Sequence, residues 1–203
     1  MAWYLTGDET ADALLADDPL ALLIGMVLDQ QVPMERAFSA PRDLRERLGG
    51  RLDVTEIAGL DHDRLVAAFS ERPALHRFPA AMAERVQAVA NIVVDEYGGD
   101  AGAIWNTAAD GKELMKRLRA LPGFGEQKAK IFLALLGKRL GVRPAGWEEA
   151  AGPFGKAGSF VSVADIDSPE AMERVRDHKR EMKAAAKSAA NLPAKAGAGR
   201  AKK

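Results

Sequence analysis

LRALPGFGEQKAKIFLALLGKRL, from Leu118 to Leu140, is the stretch on which the reading of this chain turns. It reads as helix, tight hairpin, helix. Asp110 is placed to cap the first helix, whose apolar residues Leu114, Met115, Leu118 and Leu121 recur at helical spacing. Pro122 and Gly123 stop that helix, and Gly125 permits a turn that a residue with a Cβ resists. The second helix starts near Glu126, with Ile131, Phe132, Leu135 and Leu136 on one face. The two glycines either side of Phe124 leave backbone N–H groups bare at a helix N-terminus, where unpaired amides and the helix dipole both favour an anionic oxygen. The flanking charges are mostly basic: Lys112, Lys116, Arg117, Arg119, Lys128, Lys130, Lys138 and Arg139. A DNA phosphate fits such a corner, and a plain helical hairpin with a solvated basic face is the other reading.

The rest of the chain sets limits. Its 203 residues suffice for one domain or two small lobes with a core of their own. Every apolar run is interrupted by charge before it could span a bilayer, and the N-terminus lacks the pattern of a signal peptide, which places the protein in the cytoplasm. There is no cysteine, which excludes disulfides, cysteine-bound zinc and a cysteine-ligated iron–sulfur cluster. Net charge is zero, but it is unevenly spread: acidic over the first sixty residues, basic in the hairpin and after Arg174. For a polyanionic partner the local face matters more than the sum.

In chain order, residues 1–18 read as a short polar lead anchored by Trp3, Tyr4 and Leu5. Asp18-Pro19 starts a helix, PLALLIGMVLDQQV, that is apolar nearly all round and so buried on most sides. It ends before Pro33 and carries Asp29, Gln30 and Gln31 at its exit. Those glutamines either cap the helix end or face a ligand. A short helix follows over Pro41 to Leu48, then two more over Asp53 to Leu60 and Asp63 to Phe69. The Pro-bounded segment from Ser70 to Pro79 holds His76, Arg77 and Phe78, and reads as a connector or as a loop near a bound base. Pro79 to Tyr97 is a long amphipathic helix, and Ala101 to Thr107 a short one. From Gly141 a Gly/Pro/Ala-rich stretch reads as an extended loop with one short turn near Trp147. Pro169 opens a charged, alanine-rich helix, and residues 191–203 form a basic, disordered tail. No strand-like alternation persists, so the fold class is all-α.

L-P-G-F-G-x-x-x-A within a basic helix pair, preceded some ninety residues earlier by the Gln-bearing helix exit, resembles the HhH-GPD superfamily of base-excision DNA glycosylases, the endonuclease III-like proteins, and a small iron–sulfur-free bacterial member in particular. The resemblance covers about residues 19 to 180. It implies a helical barrel with the helix-hairpin-helix over residues 19–143, a second helical lobe from residues 1–18 and 144–190, and a cleft between them for a flipped base. It implies double-stranded DNA with a damaged base as partner, a monomer, association with the nucleoid, and no cofactor beyond a monovalent cation at the hairpin. Gly123, Phe124, Gly125, Lys128 and Lys130 would contact DNA. Gln30 or Gln31 would fill the gap left by the extruded nucleotide, since a flat amide can occupy the hole and bond the orphaned base. His76, Arg77 and Phe78 would lie near the base.

Breaking an N-glycosidic bond builds positive charge on the sugar, which a carboxylate can stabilise while orienting a water. In the family a lysine near the start of the second hairpin helix makes strand-cutting members lyases. Here Gln127 stands at that position, and Lys128 is turned roughly 100° around the helix. The expectation is a monofunctional glycosylase. The family's aspartate would fall near Pro144 or Ala145, neither acidic. Asp165, following V-S-V-A, is the expected catalytic carboxylate, with Asp167, Asp29, Glu148 and Glu149 as lesser candidates; without one, the protein would be a noncatalytic binder of DNA structure or damage. A helical interaction protein with no DNA role is the third reading.

Overall fold

A computed structural model describes residues 3–190, with side chains through residue 185; the expected basic tail over 191–203 lies outside the described residues. Eleven α-helices account for its regular structure: α1 Glu9–Asp17, α2 Pro19–Leu28, α3 Met34–Arg47, α4 Val54–Gly59, α5 His62–Ser70, α6 Pro79–Tyr97, α7 Ala103–Asn106, α8 Gly111–Ala120, α9 Glu126–Arg139, α10 Trp147–Ala151 and α11 Pro169–Ala190. Two 3₁₀ turns, Gly152–Gly155 and Val163–Asp165, follow α10. Among the described residues there is no strand, and one isolated parallel bridge joins Asp110 to Ala145. The fold is all-α. No helix among the described residues is long and apolar enough to cross a membrane.

Local chemistry sets most boundaries. The Asp18 carboxylate accepts the amides of Leu20 and Ala21, and Pro19 takes the first helical position of α2. Leu20 through Leu28 are all buried, as their near-continuous apolarity requires. Asp110 caps α8 by accepting the Glu113 amide, while the Glu113 carboxylate accepts the amide of Ala109, the residue before the cap. α6 ends at Gly98 in the left-handed region.

Three sequence expectations need correction. The polar lead contains α1, capped by Asp8 and packed on α2 and α3. The buried Asp12 carboxylate holds the chain before it by accepting the Leu5 and Thr6 amides at 3.0 Å. The helix expected to start at Pro41 instead runs from Met34, with Pro41 inside it. Proline's φ suits a helix, so the loss is one backbone bond, offset by burying Met34, Phe38 and Leu44 along one side. The stretch expected as an extended loop with one short turn near Trp147 is more ordered than that: the turn is the helix α10, and a 3₁₀ turn follows it. Its anchor is the Trp147 ring, which lies on Gly137 so closely that a Cβ there would come within 2.4 Å.

α2 packs against α3 and α6, and α4 and α5 lie on α6. α9 is the axis of the remainder, with α8, α10 and both 3₁₀ turns packed on it. A continuous apolar core runs through both sets, from Trp3 to Val175.

Candidate functional site

The hairpin forms where the sequence places it, with one correction: Gly125 is extended at φ −74° with open space around it, so a Cβ would be tolerated there and only Gly123 needs to be glycine. Leu121 ends α8, Gly123 turns the chain at φ 83°, and α9 begins at Glu126. The Phe124 amide bonds the Leu121 carbonyl, and the first bond into α9 is from the Ala129 amide to the Gly125 carbonyl. No side chain caps α9. The amides of Gly123, Gly125 and the first turn of α9 therefore have no acceptor among the described residues. The carbonyls of Leu118 and Leu121 each accept one amide.

The side chains at this corner differ in exposure. Phe124 is buried against Phe132, with ring centroids 5.9 Å apart, so its backbone and not its ring faces outward. Lys130 pairs with Glu126 at 2.7 Å on the surface. Lys128 turns inward, and its ammonium donates to the carbonyls of Met26 (2.8 Å) and Val27 (3.0 Å) at the end of α2. Burial lowers the Lys128 ammonium to about 8, with Arg85 adding to the effect and Asp29 opposing it. Lys128 thus ties the hairpin to the helix that carries the glutamines, and satisfies that helix's orphan carbonyls.

Gln30 and Gln31 separate clearly. Gln30 is held: its Nε2 donates to the Val27 carbonyl at 2.8 Å, and its Oε1 accepts from Arg85 at 3.0 Å. Its backbone carbonyl accepts from His76 Nε2 at 2.8 Å, because His76 Nδ1 is taken as acceptor by the Phe78 amide. His76 is buried, and burial lowers its imidazole below the usual range, so a neutral ring latches this loop. Gln31 is exposed and holds φ 56°, the left-handed region that a residue with a Cβ rarely adopts. Phe78 is 43% exposed beside the latch, with the Arg77 guanidinium over its ring.

Below the α2 exit lies a cavity of about 290 Å³, lined by Asp29, Gln127, Ile131, Phe154, Val161 to Val163 and, from α11, His178, Lys179 and Met182. Burial pushes the Asp29 carboxyl up. The ammonium groups of Lys179 and Lys128 pull it down, and Glu35 pushes it up further. Its position beside Gln127 gives one polar cavity with an otherwise largely apolar wall.

Asp165 does not line that cavity. Its carboxylate accepts from Lys138 Nζ (2.5 Å), Ser159 Oγ (2.9 Å) and the amides of Val161 (2.9 Å) and Ser162 (3.0 Å), and its side chain is 2% exposed. It lines a separate space of about 190 Å³ with Lys138, Arg139 and Asp167. Lys138 stands three turns along α9 from Gln127, about 16 Å by helical rise. Asp165 fastens the 161–163 segment that walls the Gln127 cavity, which is a supporting role. Asp167 is exposed. Glu148 and Glu149 are exposed on α10, whose Trp147 sits against Gly111 and Gly137, at the ends of α8 and α9 away from the hairpin. Arg85 and the α11 wall were not singled out from sequence. Arg85 had a signal, since it sits three residues after Met82 beside the apolar stripe of α6.

A family model for HhH-GPD superfamily base excision DNA repair protein matches residues 24–194. No curated protein matches the chain. Among solved structures, a trapped endonuclease III–DNA covalent intermediate, the estranged-adenine complex, is similar at a TM-score of 0.42 and 17% identity, covering 85% of this chain and 94% of that one.

Proposed function

Because the chain belongs to the HhH-GPD superfamily of base excision DNA repair proteins, we propose that it is a monofunctional DNA glycosylase that hydrolyses the N-glycosidic bond of a damaged or mispaired base turned out of a duplex. The observation that carries this is one cavity holding a carboxylate, Asp29, and the amide of Gln127, directly beside the bare-amide hairpin and the exposed Gln31. The hairpin amides bind a backbone phosphate, which sets the register of the duplex. Gln31, already held away from the protein, enters the stack, with Phe78 as an apolar wedge beside it. The extruded base enters the cavity, whose volume of about 290 Å³ is large enough for a single base. Asp29, ionised, stabilises positive charge developing on the sugar and orients water at the anomeric carbon. Gln127 has no amine, so no covalent imine to the sugar forms at that position.

The test is excision from duplexes containing uracil, hypoxanthine, alkylated purines or oxidised bases, with abasic sites revealed by alkali. Wild type should release at least one of these bases, and Asp29→Asn should lose on the order of 100-fold or more in rate. Full activity in Asp29→Asn would remove Asp29 from the reaction.

A second reading, a noncatalytic binder of damaged or distorted DNA, is favoured by one observation: Asp165, the carboxylate expected from sequence, is fully engaged by Lys138 and three further donors. It predicts salt-dependent duplex binding with no excision of any lesion.

A further inference from the structure

Arg85, on α6, touches both elements that the proposed function assigns to DNA. Its Nη1 donates to Gln30 Oε1 at 3.0 Å. Its side chain lies on Gly123, where a Cβ would come within 2.5 Å of Arg85 Cδ and 2.9 Å of Nε. That contact gives Gly123 a second reason to be glycine, besides its φ of 83°. The other N–H groups of the half-buried guanidinium have no partner among the described residues, although a guanidinium presents five donors in a rigid fork. The surroundings are cationic. Arg85 is close enough to disfavour charge on both Lys128 and His76, and Arg77 adds to the charge around His76. Among the described residues no carboxylate is paired with Arg85. A guanidinium with unused donors, wedged between a turn of bare amides and a glutamine loop, is arranged for an oxyanion.

We infer that Arg85 is a DNA-phosphate ligand that joins the hairpin grip to the glutamine loop, so that one backbone phosphate of the duplex is shared between the Gly123 corner and the Arg85 fork. The inference rests on the glycosylase reading above and adds a binding residue outside the hairpin and outside the cavity. Engaging the phosphate through Arg85 would also orient Gln30, and through it the backbone that presents Gln31. Arg85 is a binding and positioning residue. It does not reach the reacting atoms.

The experiment is equilibrium binding of the full chain to a labelled duplex across a salt series, for wild type, Arg85→Ala, Arg85→Lys and Gly123→Ala, with a thermal melt of each. Arg85→Ala should weaken binding roughly tenfold at moderate salt and flatten the slope of log K against log salt by about 0.9. Arg85→Lys should keep most of the slope while losing part of the affinity, since an ammonium retains the charge but not the fork. Gly123→Ala should resemble Arg85→Ala, because the added methyl displaces the same side chain. If Arg85 only braced Gln30, Arg85→Ala would lower the melting temperature and leave the salt slope at the wild-type value, and that result overturns the inference alone. Absence of salt-dependent duplex binding by wild type would overturn the DNA reading itself. Should Arg85→Ala fail to fold, the slope of Arg85→Gln against Arg85→Lys decides: equal slopes contradict a phosphate contact.

Discussion

Two aspartates show how surroundings assign roles that residue type leaves open. Asp165 is enclosed by four donors and paired with Lys138, which is itself only 15% exposed. Removing its charge strands a buried ammonium, so Asp165→Asn should cost about 3 kcal/mol of stability, read as a lower melting temperature or denaturant midpoint. Asp29 should behave in the opposite way. Burial holds its carboxyl above the usual range, so the fold favours the protonated form more than the unfolded chain does. Stability from that proton is present at low pH and lost as pH rises through the folded-state value. Asp29→Asn should therefore melt at or above the wild-type temperature at pH 8, with the gain shrinking toward pH 4, while excision is lost. A protein that is both less stable and inactive after this change would place Asp29 in the scaffold. Excision by wild type should rise with pH as Asp29 ionises.

At the scale of elements, the hairpin was legible because its signals are local. Proline and glycine stop one helix, an aspartate caps it, and apolar spacing defines both faces. α2 was legible for the same reason. α1 was not, since its nine residues carry a weak apolar pattern and owe their order to packing on α2 and α3. Pro41 misled because a proline at a helix start and one tolerated inside a buried helix look alike in sequence. Asp29 ranked low for a related reason. Its cavity is completed by His178, Lys179 and Met182 on α11, about 150 residues away in the chain, and no local spacing reports such a wall. α11 itself divides in two. Ala171, Met172 and Val175 are buried, and beyond them the helix contributes mainly to the cavity wall. Ending the chain after Arg176 keeps those buried residues and the Arg176–Glu35 pair. Such a truncation should fold with little change in melting temperature, yet lose tenfold or more in excision rate as water enters the site. An unchanged rate would mean that the α11 wall does not shape the reaction.

Across the whole molecule, long-range ties converge on one face. Lys128 reaches back to Met26 and Val27, Arg85 spans Gln30 and Gly123, and His76 latches the Gln30 carbonyl. The hairpin, the glutamine loop and the 76–78 segment are therefore held as one unit, with the Asp29 cavity beneath it. Base extrusion by this unit, which the proposed function requires, can be tested without chemistry. A duplex carrying 2-aminopurine next to an excisable base should brighten when Asp29→Asn protein binds, because the neighbouring stack opens. Adding Gln31→Ala should remove most of that rise while leaving the salt dependence of binding in place. Tight binding with no change in fluorescence, or a rise that Gln31→Ala leaves intact, would contradict the account.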